Sequence, residues 1–119
     1  MATFAIAVTY GGDHIVRLEI NGEVDLLTAP ELLDSVQCAA AANDRCNIVV
    51  DLRDVSFIDP AGLDALVRAD RGVRELNAHM IVCNPSRTVQ CMLEMTGLDD
   101  VLDIRPGWAS RGLTRESLN

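Results

Sequence analysis

The chain has few aromatic side chains, no long apolar run and no basic segment. Aromatic residues make up only 3% of its 119 residues, and no apolar stretch approaches the roughly 20 residues that a membrane-spanning helix needs. Acidic residues outnumber basic ones by 18 to 10, which gives a net charge of −8. An excess of negative charge disfavours binding to nucleic acid or to an anionic membrane surface. We therefore expect a globular protein with no nucleic-acid or membrane partner.

Signals of export and of metal binding are also missing. The segment Met1–Phe4 shows neither the basic start nor the cleavable apolar stretch of a signal peptide, which favours a cytoplasmic location. The cysteines lack the C-x-x-C spacing of a zinc site, and only 2 histidines accompany them. In a reducing compartment such cysteines are expected to be small core residues, although a regulatory disulfide stays open. The four are Cys38, Cys46, Cys83 and Cys91.

Strand patterns appear at both the start and the middle of the chain. Apolar residues alternate with small or polar ones over 4–10 and 16–20, and Gly11-Gly12-Asp13 between them predicts a hairpin. Ile48–Leu52 and Met80–Cys83 are nearly all apolar, as in central strands that are covered on both sides. A chain of this length supports one hydrophobic core and not two.

Helical periodicity fills the segments between the strands. Thr28 and Glu31 predict a capping box at the start of a first helix that ends near Asn43. A second helix is predicted from Pro60 to about Asn77. Strands that alternate with helices after an N-terminal hairpin indicate an α/β fold with a mixed sheet.

The last part of the chain contains a third helix and a short strand. Asn84-Pro85 predicts the helix start, and Gly97 predicts its end, with Leu98 packing back on the helix. Val101–Ile104 predicts a short final strand. From Trp108 onward the pattern predicts either a frayed tail or a short docked helix.

The most informative segment follows the predicted strand Ile48–Leu52. Asp59 is a suitable N-cap, and Pro60 suits the first helical position because its missing N–H would have no helical partner there. Open α/β sheets place their functional residues at the carboxyl ends of their strands. We therefore predict that an exposed turn at Asp59 carries the function of the chain.

Four carboxylates are expected to follow strand ends, namely Glu23, Asp25, Asp54 and Asp59. Clustered carboxylates could hold Mg²⁺ or Ca²⁺, but no spacing resembles a calcium loop and no phosphate-binding glycine motif accompanies them. Helix capping by Asp59 and solvated charge for the others remain as alternatives. No nucleophile is paired with a base. We predict no metal, no cofactor and no enzymatic activity.

Segments spread along the chain resemble the STAS domain, and within it the bacterial anti-sigma factor antagonists most closely. The resemblance runs in order from about Phe4 to Ile104, and it implies a STAS domain over residues 1–105 followed by a tail or short docked helix over 106–119. It implies a small mixed β-sheet, an N-terminal antiparallel hairpin followed by parallel strands, with helices packed mainly on one side. The segments are Gly22-Glu23-Val24-Asp25, Thr28-Ala29-Pro30, Val50-Asp51-Leu52, Val55-Ser56-Phe57-Ile58-Asp59 before Gly62-Leu63, and Thr96-Gly97-Leu98.

In that family the antagonist binds an anti-sigma factor that is also a serine kinase, which frees a sigma factor and so regulates transcription. The kinase then phosphorylates a serine directly after the Asp that corresponds to Asp59, and this ends the complex. In this chain that position is Pro60, followed by Ala61, and neither carries a hydroxyl. Ser56 and Thr28 are the nearest hydroxyls, and each has a structural role available. The resemblance thus implies partner binding without a phosphorylation switch at the helix start.

The contact surface that the resemblance implies is an acidic docking face for a basic or polar groove. Charge complementarity of this kind speeds association and weakens with salt. As an alternative, the chain is a ligand- or redox-sensing STAS module in which a small molecule or a cysteine pair controls the interface. The predicted contact residues are Glu23, Asp25, Thr28, Asp59, Pro60, Ala61, Gly62 and Leu63.

Overall fold

The fold is a mixed β-sheet whose parallel strands are connected by helices. The computed structural model describes residues 3–12 and 14–107. Within these residues the strands lie in the order β1-β2-β3-β4-β5. β1 and β2 are antiparallel, and the other neighbouring pairs are parallel, which confirms the predicted hairpin and parallel strands. The strands are β1 (Ala5–Gly11), β2 (Ile15–Val24), β3 (Asn47–Ile58), β4 (His79–Cys83) and β5 (Asp103–Arg105).

Three helices among the described residues connect the parallel strands: α1 (Ala29–Ala42), α2 (Pro60–Glu75) and α3 (Arg87–Thr96). Each crossover proceeds in the same direction across the sheet, and because such crossovers are right-handed, the helices fall on one face. One apolar core joins the inner sides of the helices to alternate residues of the strands, among them Leu18 and Val50. The predicted α/β class, with helices on one side, is confirmed.

The opposite face of the sheet carries a smaller apolar cluster made of strand residues only. Beside it, Arg17 Nη2 lies 2.6 Å from Oδ2 of the buried Asp51 carboxylate. Asp51 Oδ1 also accepts a 2.9 Å hydrogen bond from Arg53 N. This pairing compensates a carboxylate that would otherwise be costly to bury. The cluster consists of Ile15, Val49, Ile81 and Cys83.

β3 is longer than the apolar run that predicted it. It continues past Leu52 to Ile58, because two register shifts in its pairing with β2 absorb extra residues and keep the strands bonded. Glu23 and Asp54 consequently lie inside β2 and β3. The prediction that both follow strand ends is wrong, since bulges of this kind leave no periodic signal in the sequence.

Two of the predicted helix starts differ in detail. The Thr28 side chain makes no capping hydrogen bond to α1, so the capping box is wrong. α3 is capped by Ser86 and not by Asn84: Ser86 Oγ accepts a 3.4 Å bond from Val89 N. Asn84 has a φ of 50°, whereas an N-cap needs an extended backbone. The predicted end of α3 is confirmed, with Gly97 in the left-handed region at a φ of 77°.

The end of the described chain is a short strand at the sheet edge. A 3₁₀ turn at Leu98–Asp100 precedes β5, which begins two residues later than predicted. Residues 108–119, on which most of the predicted tail or docked helix falls, lie outside the described residues. No described helix combines the length and the apolar character that crossing a membrane requires.

Candidate functional site

The start of α2 is tied to the ends of β2 and β3. Asp59 is the single residue between β3 and α2, and its N–H donates to Val24 O at 3.1 Å. Its Oδ1 accepts a 2.8 Å bond from Gly62 N, and its carbonyl accepts a 2.9 Å bond from Leu63 N. Pro60 takes the first helical position, where no donor is lost. The predicted cap is confirmed, and it leaves this turn little freedom.

Gly62 allows α2 to approach the sheet closely. A Cβ at this position would lie 2.6 Å from Val24 O and 2.7 Å from Ile58 Cγ1, so only glycine fits without a shift of the backbone. Gly62 is buried, and Leu63 belongs to the main core. These two predicted contact residues are therefore buried and pack between the turn and the sheet. Pro60, which is exposed, and Ala61, which is half-buried, remain accessible beside them.

Thr28 and Asp25 shape the loop between β2 and α1. Thr28 Oγ1 donates to Glu23 O at 2.8 Å and accepts from Asp25 N at 2.9 Å. Asp25 Oδ1 accepts from Leu27 N at 2.9 Å and from Thr28 N at 3.1 Å. Such bonds from a side chain to the backbone form an Asx-turn, and they explain why Thr28 does not cap α1. Both residues hold the loop in shape.

The tip of this loop exposes two leucines that are not among the predicted contact residues. Leu26 and Leu27 are 73% and 87% exposed, and Phe57 near the end of β3 is 45% exposed. Adjacent exposed apolar side chains such as Leu26 and Leu27 are a feature of interaction sites. The one signal in the sequence was a pair of adjacent leucines that fit neither the alternation of β2 nor the periodicity of α1.

A groove between α1 and α2 continues this apolar surface. Its volume is about 290 Å³, at the lower limit of the roughly 300–1,000 Å³ of small-molecule sites. It therefore suits one or two side chains of another protein better than a small ligand. An ion pair at 2.7 Å between Asp64 and Arg68 supplies the polar part of the lining. The lining residues are Leu26, Ala29, Pro30, Leu33, Ala61, Asp64, Ala65 and Arg68.

The carboxylates near the site have separate roles. Asp25 and Asp59 each accept backbone N–H bonds, while Glu23 and Asp54 are exposed on their strands. In the part of the chain that the structure describes, no group of three or more His, Cys, Asp or Glu residues could hold a metal ion. Asp25 and Asp59 therefore shape the loop and the turn, while Glu23 and Asp54 add negative charge on the strands that lead to them.

The cysteines divide into two buried and two exposed thiols, all of them free. Burial raises the pKa of the Cys83 thiol to about 12, and the nearby Asp51 carboxylate adds to this shift. Burial likewise raises the pKa of Cys46. Because the thiolate is the reactive form, these two buried thiols are expected to react more slowly than the exposed ones. Cys38 on α1 and Cys91 on α3 are the exposed pair.

This difference predicts the outcome of a thiol titration. We expect an aromatic disulfide reagent at mildly alkaline pH to label Cys38 and Cys91 quickly, and to label Cys46 and Cys83 only after unfolding in guanidinium chloride. The time course and the intact mass report both steps. A double variant, Cys38→Ser with Cys91→Ser, serves as control and should lose the fast phase. Fast labelling of a buried thiol in the folded protein would contradict the prediction.

The sequence of this chain is similar to that of a known domain family and of proteins within it. The sequence model of the STAS domain matches residues 7–110. An anti-sigma-B factor antagonist of Listeria monocytogenes is 28% identical over 93 residues, which cover 78% of this chain and 80% of the relative. An anti-sigma-B factor antagonist of Staphylococcus aureus is 26% identical over 95 residues, which cover 80% of this chain and 87% of the relative.

Solved structures show the same fold. An anti-sigma factor antagonist from Mycobacterium paratuberculosis superposes with a TM-score of 0.75 at 21% identity, covering 98% of this chain and 92% of that chain. The Bacillus cell fate determinant SpoIIAA in its phosphorylated form superposes with a TM-score of 0.66 at 19% identity, covering 96% of both chains. At these identities the likeness concerns the fold.

Proposed function

Because the chain belongs to the STAS domain family, we propose that it acts as an anti-sigma factor antagonist. It binds an anti-sigma factor, frees a sigma factor and thereby regulates transcription. The relatives named anti-sigma-B factor antagonists support this function. It requires no catalytic group, and the predicted absence of enzymatic activity and the cytoplasmic location stay predictions.

The observation that carries the binding proposal is the apolar surface beside the start of α2. Leu26 and Leu27 project from a loop whose shape is held by hydrogen bonds, and the groove between α1 and α2 opens next to them. A rigid apolar protrusion loses little entropy on binding. We propose that a partner covers this loop and inserts an apolar side chain into the groove.

The predicted contact residues frame this surface in the proposal. Glu23 and Pro60 are exposed, and Thr28, Asp59 and Ala61 are half-buried at the same end of the sheet. The carboxylates favour a partner with a basic rim, which would speed association at low ionic strength. Gly62 and Leu63 contribute by shaping the turn from below.

We further propose that the partner is an anti-sigma factor of the serine kinase type and that the complex is not ended by phosphorylation at the helix start. A phosphate there would bring a charge of about −1.5 to −2 into the interface and disrupt it by repulsion and desolvation. Pro60 has no oxygen to accept one, and Ala61 has none either. The antagonist would then stay competent to bind for as long as it is present.

The Pro60→Ser variant tests this proposal. Incubation with a bound anti-sigma kinase, ATP and Mg²⁺ should leave the wild-type mass unchanged and should add one phosphate to Ser at position 60 of the variant. The physical reason is that α2 begins in the same place with either residue, because Asp59 supplies the cap. Intact-mass spectrometry and peptide mapping give the result.

The Pro60→Ala variant is the matched control, since it changes the backbone in the same way and adds no hydroxyl. It should bind the kinase and remain unmodified. Phosphate on wild-type Ser56 or Thr28 would overturn the proposal of an unswitched complex. Absence of binding to each anti-sigma factor of the host would overturn the proposed function itself.

The redox-sensing alternative would depend on the two exposed thiols, Cys38 and Cys91. Cys46 and Cys83 are buried with raised pKa values, and all four thiols are free. The ligand-sensing version would use the groove, whose volume of about 290 Å³ lies at the lower limit of small-molecule sites. Partner binding therefore remains the function that the geometry supports best.

A further inference from the structure

The strand at one edge of the sheet is long, exposed and uncharged. β1 (Ala5–Gly11) ends the strand order, so among the described residues no strand pairs with its outer side. Such an edge presents free N–H and C=O groups to another strand, and proteins usually protect it with charge, proline or short length. The opposite edge shows that protection: β5 has three residues and carries Asp103 and Arg105.

β1 also carries an uncovered apolar stripe. Ile6, Val8 and Tyr10 lie opposite the core residues Ile20, Leu18 and Val16 of β2, which places the stripe on the helix side of the sheet. Val8 is 44% exposed and Tyr10 is 69% exposed, so the helices do not cover this end of the face. The strand therefore offers both unpaired backbone groups and unburied apolar side chains.

We propose that β1 pairs antiparallel with β1 of a second copy of this chain, forming a dimer with one continuous sheet. The charge distribution favours this occupant over other proteins. The chain has a net charge of −8, yet residues 1–12 contain no Asp, Glu, Lys or Arg. Two acidic copies repel each other over most of their surfaces, and they approach with least repulsion where that charge is absent.

The sequence of β1 is complementary to itself in the register that uses all seven residues. With Val8 opposite Val8 of the second copy, Ile6 lies opposite Tyr10, which is a favourable pair of an aromatic and a β-branched residue. On the other face Ala7 lies opposite Thr9 and Ala5 opposite Gly11, so small residues meet small ones. Such pairing satisfies the edge and buries the stripe of both copies.

Sedimentation velocity over a range of concentrations tests the dimer with the full chain. Val8→Lys places two ammonium groups opposite each other on the symmetry axis, so we expect it to raise the dissociation constant about tenfold or more. Met95→Lys is the matched control, because Met95 on α3 is 81% exposed and lies outside β1; it should leave the dimer intact. Added salt should strengthen the wild-type dimer, since it screens the repulsion.

Hydrogen exchange supplies a second readout that does not depend on the variant folding. The amides of β1 should gain protection as the dimer forms, while amides of β5 should not change. A wild-type monomer at every concentration, an open-ended aggregate, or a dimer without protection in β1 would each overturn the proposal. Equal weakening by Met95→Lys would overturn it as well. Anti-sigma factor binding is measured separately, so its outcome does not decide this one.

Discussion

Replacing Gly62 by alanine is expected to lower the free energy of unfolding by about 1–3 kcal/mol. The added methyl group would lie 2.6 Å from the carbonyl oxygen of Val24 and 2.7 Å from Ile58 Cγ1. The same Val24 carbonyl also accepts the Asp59 N–H, so neither side of the contact can move alone. Urea denaturation followed by circular dichroism measures the loss.

Gly72→Ala on the same helix is the control for this substitution. A Cβ at Gly72 would lie 2.8 Å from Nε2 of Gln37, the end of a flexible side chain that can turn away. Alanine in a helix interior is favoured over glycine by about 1 kcal/mol, so this variant should be as stable as the wild type or more stable. If both variants lose stability equally, the close approach at Gly62 is not what requires glycine there.

Replacing Ala61 by tyrosine is expected to weaken binding to an anti-sigma factor by about 100-fold, or ~2.7 kcal/mol. The new ring would fill the groove that Ala61 lines together with Leu26 and Leu33, and so exclude the partner's side chain. The substitution leaves the net charge unchanged, which separates the effect of the groove from that of the acidic surface. Isothermal titration calorimetry with the purified partner measures the affinity.

Ala41→Tyr provides the comparison for this effect. Ala41 is exposed in the last turn of α1, at the opposite end of that helix from the groove. This variant should bind as the wild type does and should unfold at the same urea concentration. If Ala61→Tyr retains full affinity while folding normally, the groove is outside the interface and the docking surface must be revised.

The turn at the start of α2 was predictable from the sequence, whereas the role of Thr28 at the start of α1 was not. Asp59 followed by Pro60 predicts a capped helix because both effects act within a few residues of each other, and the structure confirms them. The same reasoning failed at Thr28. There the hydroxyl contacts Glu23 and Asp25 across the loop, and a local pattern does not distinguish that loop from a capping box.

The proposed contact surface was predictable only in part. Pro60 and Ala61 follow directly from the resemblance, whereas the burial of Leu63 depends on how α2 lies against the sheet. Leu26 and Leu27 were missed because the role we propose for them rests on their exposure, which no periodicity reports. The groove needs two helices side by side, and their separation is a property of packing.

By itself the sequence determined the α/β class, the order of strands and helices, and the absence of a hydroxyl after Asp59. These features depend on local periodicity, on capping chemistry and on the identity of single residues. Only the tertiary structure decided how far β3 extends, that Gly62 lies against the Val24 carbonyl, and that no other strand of residues 3–12 and 14–107 pairs with the outer edge of β1. Those features arise from contacts between segments that are distant in sequence. They depend on interatomic distances and on burial, which a local sequence pattern does not report.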